Sequence, residues 1–324
     1  MINKAKLFIL YAVIGLGLIG FSLFYFYDQK PVSSSETLSP RARLVKKIPT
    51  AVLLWSEDGT VTGSSLKHWK PKAIVKGDNP RWSPDGSQFV FTKNNNVWLM
   101  QNDLTDPVKI IRNVVTESGT GAYWTEGGDG IIAFRNKNPR QVVQLELASG
   151  KIDVIHDEGR PPFKGYRLTQ CAEVRHKGRY LLTFTRDEGH RSMIIDLKDK
   201  RYITNELMRK GDCAPAWSPD EKFIVMTRRV RISMDRPLFI ARFDSRTGEL
   251  TASGYFIGKK RCYDASISND SKYVLYVSAG KIFVWSVAND VTDRQDGIQL
   301  THTGKSEGPN MHIFSGSLPP ENFR

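Results

Sequence analysis

Three cysteines and a set of carboxylates recur at related places in this chain and define the chemistry worth weighing. Cys171, Cys213 and Cys262 each fall shortly before a short apolar segment, with Glu173, Asp212 and Asp264 beside them, and Asp78, Asn79 and Asn310 hold the corresponding places in two further segments. Thiolates and carboxylates drawn together can hold a divalent metal, and two neighbouring thiols can form a disulfide. The opposing reading is packing, because cysteine behaves as a small buried hydrophobe. Nucleophile and phosphate motifs are absent: there is no Gly-x-Ser-x-Gly elbow, P-loop, dinucleotide fingerprint, His-Glu-x-x-His or EF-hand loop. The histidines, at 68, 156, 176, 190, 302 and 312, are spread out rather than grouped at ligand spacing. The residues thus lean against an enzyme, and no cofactor is expected.

The elements that must position these residues come from a repeat. PRWSPDGSQFVF from Pro80 and PAWSPDEKFIVM from Pro215 are its clearest copies, and weaker ones begin at Ala122, Ala172 and Ala265. Taking the Trp position as an anchor gives Trp82, Trp124, Val174, Trp217, Ile267 and Met311, at spacings of 42, 50, 43, 50 and 44 residues. In each copy a short strand ends in a Ser/Thr-Pro-Asp-Gly type turn, and β-rich runs such as IIAF, LLTF and VLYV follow. Four strands per repeat of this length is the arithmetic of a β-propeller blade. The expectation is an all-β fold, a six-bladed β-propeller of four-stranded blades, with one blade assembled from both ends of the chain. Trp55 aligns by type with Trp98 and Trp285, which places it on a third strand, and Lys72 to Lys76 would be the fourth.

In this register the cysteines stand 3, 4 and 5 residues before their anchors, on the first strands of three consecutive blades. First strands line a propeller's axis, so Asp78, Asn79, Cys171, Glu173, Asp212, Cys213, Cys262, Asp264 and Asn310 are the candidate binding residues at one channel mouth. Trp82, Trp124 and Trp217 share one place in the repeat and are expected between blades, leaving Trp69 as the exposed aromatic.

These WSPDG motifs resemble the WD40-like (PD40) repeat of the TolB-type propellers over roughly Ala51 to Phe314. The resemblance implies a six-bladed propeller, usually periplasmic, whose faces bind other envelope proteins. TolB itself has a separate α/β domain before its propeller; the short segment here leaves no room for it, so a role in the Tol system is not carried over. Some lyases that cleave pectin fragments are built from similar repeats and use histidines with a divalent metal. That gives an alternative, a metal-dependent lyase or hydrolase acting on an acidic polysaccharide, which requires His176 and His312 to converge with carboxylates.

Leu7 to Tyr27 is a run of 21 residues without a charge, ending in Phe24, Tyr25, Phe26 and Tyr27. At about 1.5 Å per residue such a helix crosses roughly 30 Å of hydrocarbon. It is too long for a cleaved signal, so a transmembrane anchor is expected, with Lys4 and Lys6 on the cytoplasmic side. The domains expected are a cytoplasmic tail at 1–6, the anchor at 7–27, a Ser/Pro-rich and basic tether at 28–48, the propeller at 49–316 and a C-terminal tail at 317–324. The location expected is the bacterial inner membrane, crossed once, with the large domain in the periplasm or cell exterior.

The chain has 324 residues, with 47 Lys and Arg against 34 Asp and Glu, a formal charge of +13. Basic clusters at Arg41, Arg43, Lys46 and Lys47; at Lys67, Lys70 and Lys72; at Arg228, Arg229 and Arg231; and at Lys259, Lys260 and Arg261 carry much of it. Solvated loops account for such runs, and so does attraction to anionic partners. Without recognition-motif aromatics, no nucleic acid is expected. The partners expected are an envelope protein or an anionic polymer, together with the membrane.

Overall fold

The structure is a computed structural model that describes residues 38–116, 120–158, 168–185, 191–203, 207–208, 213–228, 236–258, 261–287, 297–302, 305–315 and 319–323. The described strands form six four-stranded sheets. Blades 1 to 5 run in order along residues 78–112, 123–157, 168–203, 213–257 and 262–299. Blade 6 takes its innermost strand from Ser306–Ile313 and its outer three from Ala51–Glu57, Thr60–Ser65 and Lys72–Lys76. Ala51 pairs with Ile313 and Leu53 with Met311, so the two ends of the propeller region are joined by a strand ladder. That pairing covers edges that would otherwise be open to other chains.

One expectation inside blade 6 is corrected. Trp55 lies on the second strand, opposite Thr62, whereas Trp98 and Trp285 lie on third strands. Second and third strands both alternate apolar residues, so a lone tryptophan does not distinguish them. Trp55 is 1% exposed, and its indole N–H donates to Glu57 Oε2 at 3.2 Å.

The repeated turn has a physical reason. The hydroxyl one residue after the anchor accepts the backbone N–H that starts the second strand: Gln88 N to Ser83 at 3.2 Å, Gly130 N to Thr125 at 2.9 Å, Phe223 N to Ser218 at 3.0 Å and Tyr273 N to Ser268 at 3.1 Å. Ser and Thr at that position thus replace a missing backbone bond. The anchors behind these turns fill the seams between blades, and Trp82, Trp124 and Trp217 are 6%, 6% and 2% exposed. Trp82 packs with Val52 and Leu54 of blade 6 as well as with Phe89 and Phe91 of its own blade.

The inner strands of blades 1, 3, 4 and 5 are kinked before their anchors. Register slips occur between Asp78 and Arg81, Thr169 and Ala172, Cys213 and Ala216, and Tyr263 and Ser266. Asn79, Ala214, Asp264 and Gly308, each three residues before an anchor, have φ of 52°, 49°, 49° and 51°. A bulge with a left-handed residue raises local twist and re-aims the next side chains. Here those are the side chains at the axis.

The described parts of the segments expected as tether and tail hold regular structure. Pro40–Lys47 is a helix, α1, with proline at its first turn and Ser39 Oγ accepting the Ala42 N–H at 3.2 Å. Its Leu44, together with Ile48, packs with Leu53, Trp55 and Leu66. Near the other terminus Glu321–Phe323 is a 3₁₀ turn whose Phe323, 5% exposed, packs against Trp82 with ring centres 5.7 Å apart. The expected anchor at Leu7 to Tyr27 lies outside the described residues. Among the described residues no helix is long and apolar enough to cross a membrane.

Candidate functional site

A cavity of about 140 Å³ lies on the propeller axis and takes lining residues from all six blades. Its ring is built by one register position, the residue just before each anchor: Arg81, Tyr123, Glu173, Ala216, Ser266 and Asn310. Around them stand the anchors Trp82, Trp124 and Trp217, and, from the turns, Glu126 and Asn269. The cavity therefore opens at the turn end of the inner strands.

Several ring residues also tie blades together. Asn310 Oδ1 accepts the Trp82 N–H at 2.8 Å, and Glu173 Oε2 accepts the Trp217 N–H at 3.2 Å. Trp124 donates its indole N–H to Arg81 O at 3.0 Å, and the Arg81 guanidinium lies 5.0 Å from the Tyr123 ring centre. Arg175 reaches Glu173 Oε2 and Trp124 O, both at 3.5 Å. Arg81, Arg175, Glu126 and Glu173 all line the cavity, a mixed electrostatic surface rather than a single-sign one. The lining hydroxyls are engaged: Ser83 donates to Asp85 and Thr125 to Asp129 within their turns, and Ser266 donates to Pro309 O of the next blade. No hydroxyl of this set is poised on a histidine as a nucleophile would be.

The predicted residues divide between two levels of the axis. Glu173 and Asn310 line the cavity. Asp78, Asn79 and Asp264 lie three or four residues before the anchors of their strands. There Asn79 Nδ2 donates to Thr120 O at 3.1 Å, and Asp264 Oδ2 accepts the Gly308 N–H at 3.4 Å. Burial raises the pKa of Asp78 and Asp264, the latter against the pull of the Gly308 N–H and Arg81. Glu307 is raised by burial and by the charges of Asp264 and Asp78. Three carboxylates from blades 1, 5 and 6 thus share this level, and Glu307 is the member that residue-type reading missed. Among the described residues no group of three or more His, Cys, Asp or Glu is arranged to hold a metal.

The cysteine expectation changes. Cys262 is 1% exposed within the hydrophobic cluster of Ile257, Ile240 and Tyr276, rather than at a channel mouth. A spacing of 3, 4 and 5 residues before the anchors means three different register positions, and successive strand positions face opposite ways. Cys171 and Cys213 belong to the inner strands Leu168–Arg175 and Cys213–Trp217, but their side chains, like the whole of Asp212, lie outside the described residues.

The two histidines of the lyase alternative do not converge. His176 sits between blades 3 and 4, with Nδ1 2.7 Å from Glu221 Oε2 and its ring 5.4 Å from Trp217 and 5.0 Å from Phe243. Burial lowers the His176 pKa and raises that of Glu221, so this contact is between groups pushed toward their neutral forms. His312 lies at the seam of blades 6 and 1, 4.6 Å from the Phe314 ring and 6.2 Å from Trp82. Burial pushes its pKa down to about 4.

Other expectations are refined. Trp69 is half-buried and stacks on Trp55 at 5.6 Å with 2° between planes, rather than standing free as an exposed aromatic. Arg228 is 5% exposed, its guanidinium over the Phe239 ring, and so is no solvated loop charge. Arg229, Arg231, Lys259 and Lys260 lie outside the described residues. The lining residues that sequence reading missed, Arg81, Tyr123 and Ser266 among them, differ in chemistry from blade to blade. Only their shared offset from the anchor signals them.

No family model matches the chain, and no curated protein matches it. Solved structures do. The chain is similar to TolB from Acinetobacter baumannii, with a TM-score of 0.62 at 13% identity over 82% of this chain and 67% of that one. A putative TolB from Agrobacterium tumefaciens gives 0.52 at 16% identity over 70% and 86%. A chain of the nidogen/laminin complex gives 0.56 at 9% identity over 82% and 99%. The class is thus the six-bladed β-propeller. Within it, the fold of this chain is TolB-like.

Proposed function

We propose that this chain is a membrane-tethered, non-catalytic propeller that binds a partner protein at its axial cavity. The observation that carries the reading is the ring itself. Six blades converge on one cavity through positions occupied by Arg, Tyr, Glu, Ala, Ser and Asn, and its Ser and Thr hydroxyls are already committed to bonds within the protein. Such a lining offers charge-assisted hydrogen bonds and aromatic faces to an inserted polar segment, and it lacks an activated nucleophile. The tether rests on the uncharged run from Leu7 to Tyr27, which would hold the propeller on the outer side of a bacterial inner membrane. The structural neighbours agree with a binding role, since one of them was solved as a complex of two proteins.

Affinity capture from membranes with the full chain tests the proposal. The intact chain should retain a defined protein that the Arg175→Glu variant loses at least tenfold, because the reversal removes a cation and leaves Glu126 and Glu173 unopposed on that side. Unsaturated products from a uronate polymer, formed by the purified chain with added divalent metal, would contradict the reading and favour the lyase.

A further inference from the structure

Helix α1 and the loop between the third and fourth strands of blade 6 form one rigid cationic surface. Ala51 N donates to Ile48 O at 3.2 Å and Leu66 N to Ala51 O at 2.8 Å, so the end of the helix and the start of the loop are joined through a single residue. The loop is fixed by its own serines, with His68 N donating to Ser65 Oγ at 3.1 Å and Lys70 N to Ser64 Oγ at 2.9 Å. Trp69, stacked on Trp55, and Leu44 of the helix belong to the same hydrophobic cluster. From this scaffold Arg43, Lys46, Lys47, Lys67, Lys70 and Lys72 stand exposed. None of the six makes an ion pair among the described residues. Between Leu38 and Lys76 the acids are Glu57 and Asp58, at the hairpin on the other end of the blade.

The surface also has a side. Ala51 pairs with Ile313, at the turn end of the blade 6 inner strand, and the axial cavity opens at that same end. The cationic surface and the cavity mouth therefore share one face of the disc.

We infer that this surface docks on anionic phospholipid head groups of the membrane that the tether reaches, turning the cavity mouth toward the bilayer. The inference rests on the membrane-tethered reading above. Two features favour a lipid surface over solvent alone. One is charge complementarity on a fixed scaffold, where the backbone that carries the cations needs no ordering before it binds. The other is reach: the 12 residues from Asp28 to Ser39 extend at most about 40 Å, which keeps the domain near the membrane it would touch. The attraction is electrostatic and acts over a Debye length of about 10 Å at 0.1 M salt, so it must weaken as salt rises.

The test uses the full chain in discs of phosphatidylglycerol or of phosphatidylcholine, reading lysine reactivity toward an amine reagent by mass spectrometry. Lys46, Lys47, Lys67, Lys70 and Lys72 should react several-fold more slowly in the anionic discs. Lys137 and Lys305, exposed on the opposite face, should be unchanged, and 1 M salt should erase the difference. The variant Lys67→Gln, Lys70→Gln, Lys72→Gln should lose the protection at Lys46 and Lys47. Equal reactivity in both lipids, protection that survives salt or covers Lys137 and Lys305, or protection by an added uronate polymer in place of the lipid would each overturn the inference. Carbonate extraction of the same preparation separates the two readings. A chain released by carbonate removes the tether, and its lysines are then read with added phosphatidylglycerol vesicles, where equal reactivity with and without them overturns the docking as well.

Discussion

His312 shows how one side chain ties seam packing to pH. It is 4% exposed, Nδ1 has no hydrogen-bond partner in the described structure, and the Asn269 amide lies 3.4 Å from Nε2. The native pKa is near 4 and the unfolded value near 6.5, so between those values the unfolded chain binds more protons. Stability is therefore fully present above about pH 6.5 and falls as the pH drops toward 4. From pH 7 to 5 this residue alone should cost about 2 kcal/mol. Urea unfolding at both pH values checks this: His312→Gln should lose about 2 kcal/mol less than the parent, and equal losses would contradict the assignment. His156 and His176, both lowered by burial, add losses of the same sign that remain in the variant. At the same scale, Glu173 both lines the cavity and receives the Trp217 N–H of the next blade. Its removal should leave that buried donor unpaired, and Glu173→Ala should destabilise by about 1 to 3 kcal/mol in the same assay.

Among the elements, the turn and the inner strand differ in how far residue types reveal them. Ser, Pro and Asp serve the turn's own geometry in both clear copies, with Gly86 or Glu221 at its left-handed position, so the copies at Trp82 and Trp217 announce themselves. The ring position faces a shared space rather than a fixed neighbour, so each blade carries a different residue there, and motif scanning passes over Arg81 and Ser266. Following the register reaches Glu173 and Asn310 of the lining, whereas Cys262, five residues before its anchor, falls in a hydrophobic cluster. Helix α1 was hidden for another reason. It is short and strongly basic, with Leu44 its buried residue, and its Ser39-Pro40 start sits at the end of a stretch that reads as a spacer. Gly86 tests the turn element directly. It adopts φ of 75°, and a Cβ there would meet His312 Nε2 at 2.5 Å and Phe314 Cε1 at 2.9 Å. Gly86→Ala should cost at least about 2 kcal/mol, combining left-handed strain with a clash at the seam of blades 1 and 6. A loss below about 0.5 kcal/mol in thermal or urea unfolding would contradict that geometry.

At the scale of the molecule, closure and the axial cavity depend on the same blade. Ser306–Ile313 supplies the ladder partner of Ala51–Glu57 and also Asn310 and His312 of the lining. A chain ending before Ser306 would leave a strand rich in apolar residues as an open edge, and it should aggregate on expression; a soluble, cooperatively unfolding product would contradict the closure. The six-bladed plan followed from anchor spacing because each blade repeats the same local problem. Partner identity did not follow, because binding groups sit where the repeat imposes least. The most direct test of the binding claim places a photocrosslinking phenylalanine analogue at Tyr123, inside the ring, and at Val108, which is 61% exposed on an outer strand. In intact membranes Tyr123 should yield a discrete protein adduct that Arg175→Glu abolishes, with none at Val108. No adduct at Tyr123, or the same adduct from both positions, would contradict a partner held at the axis.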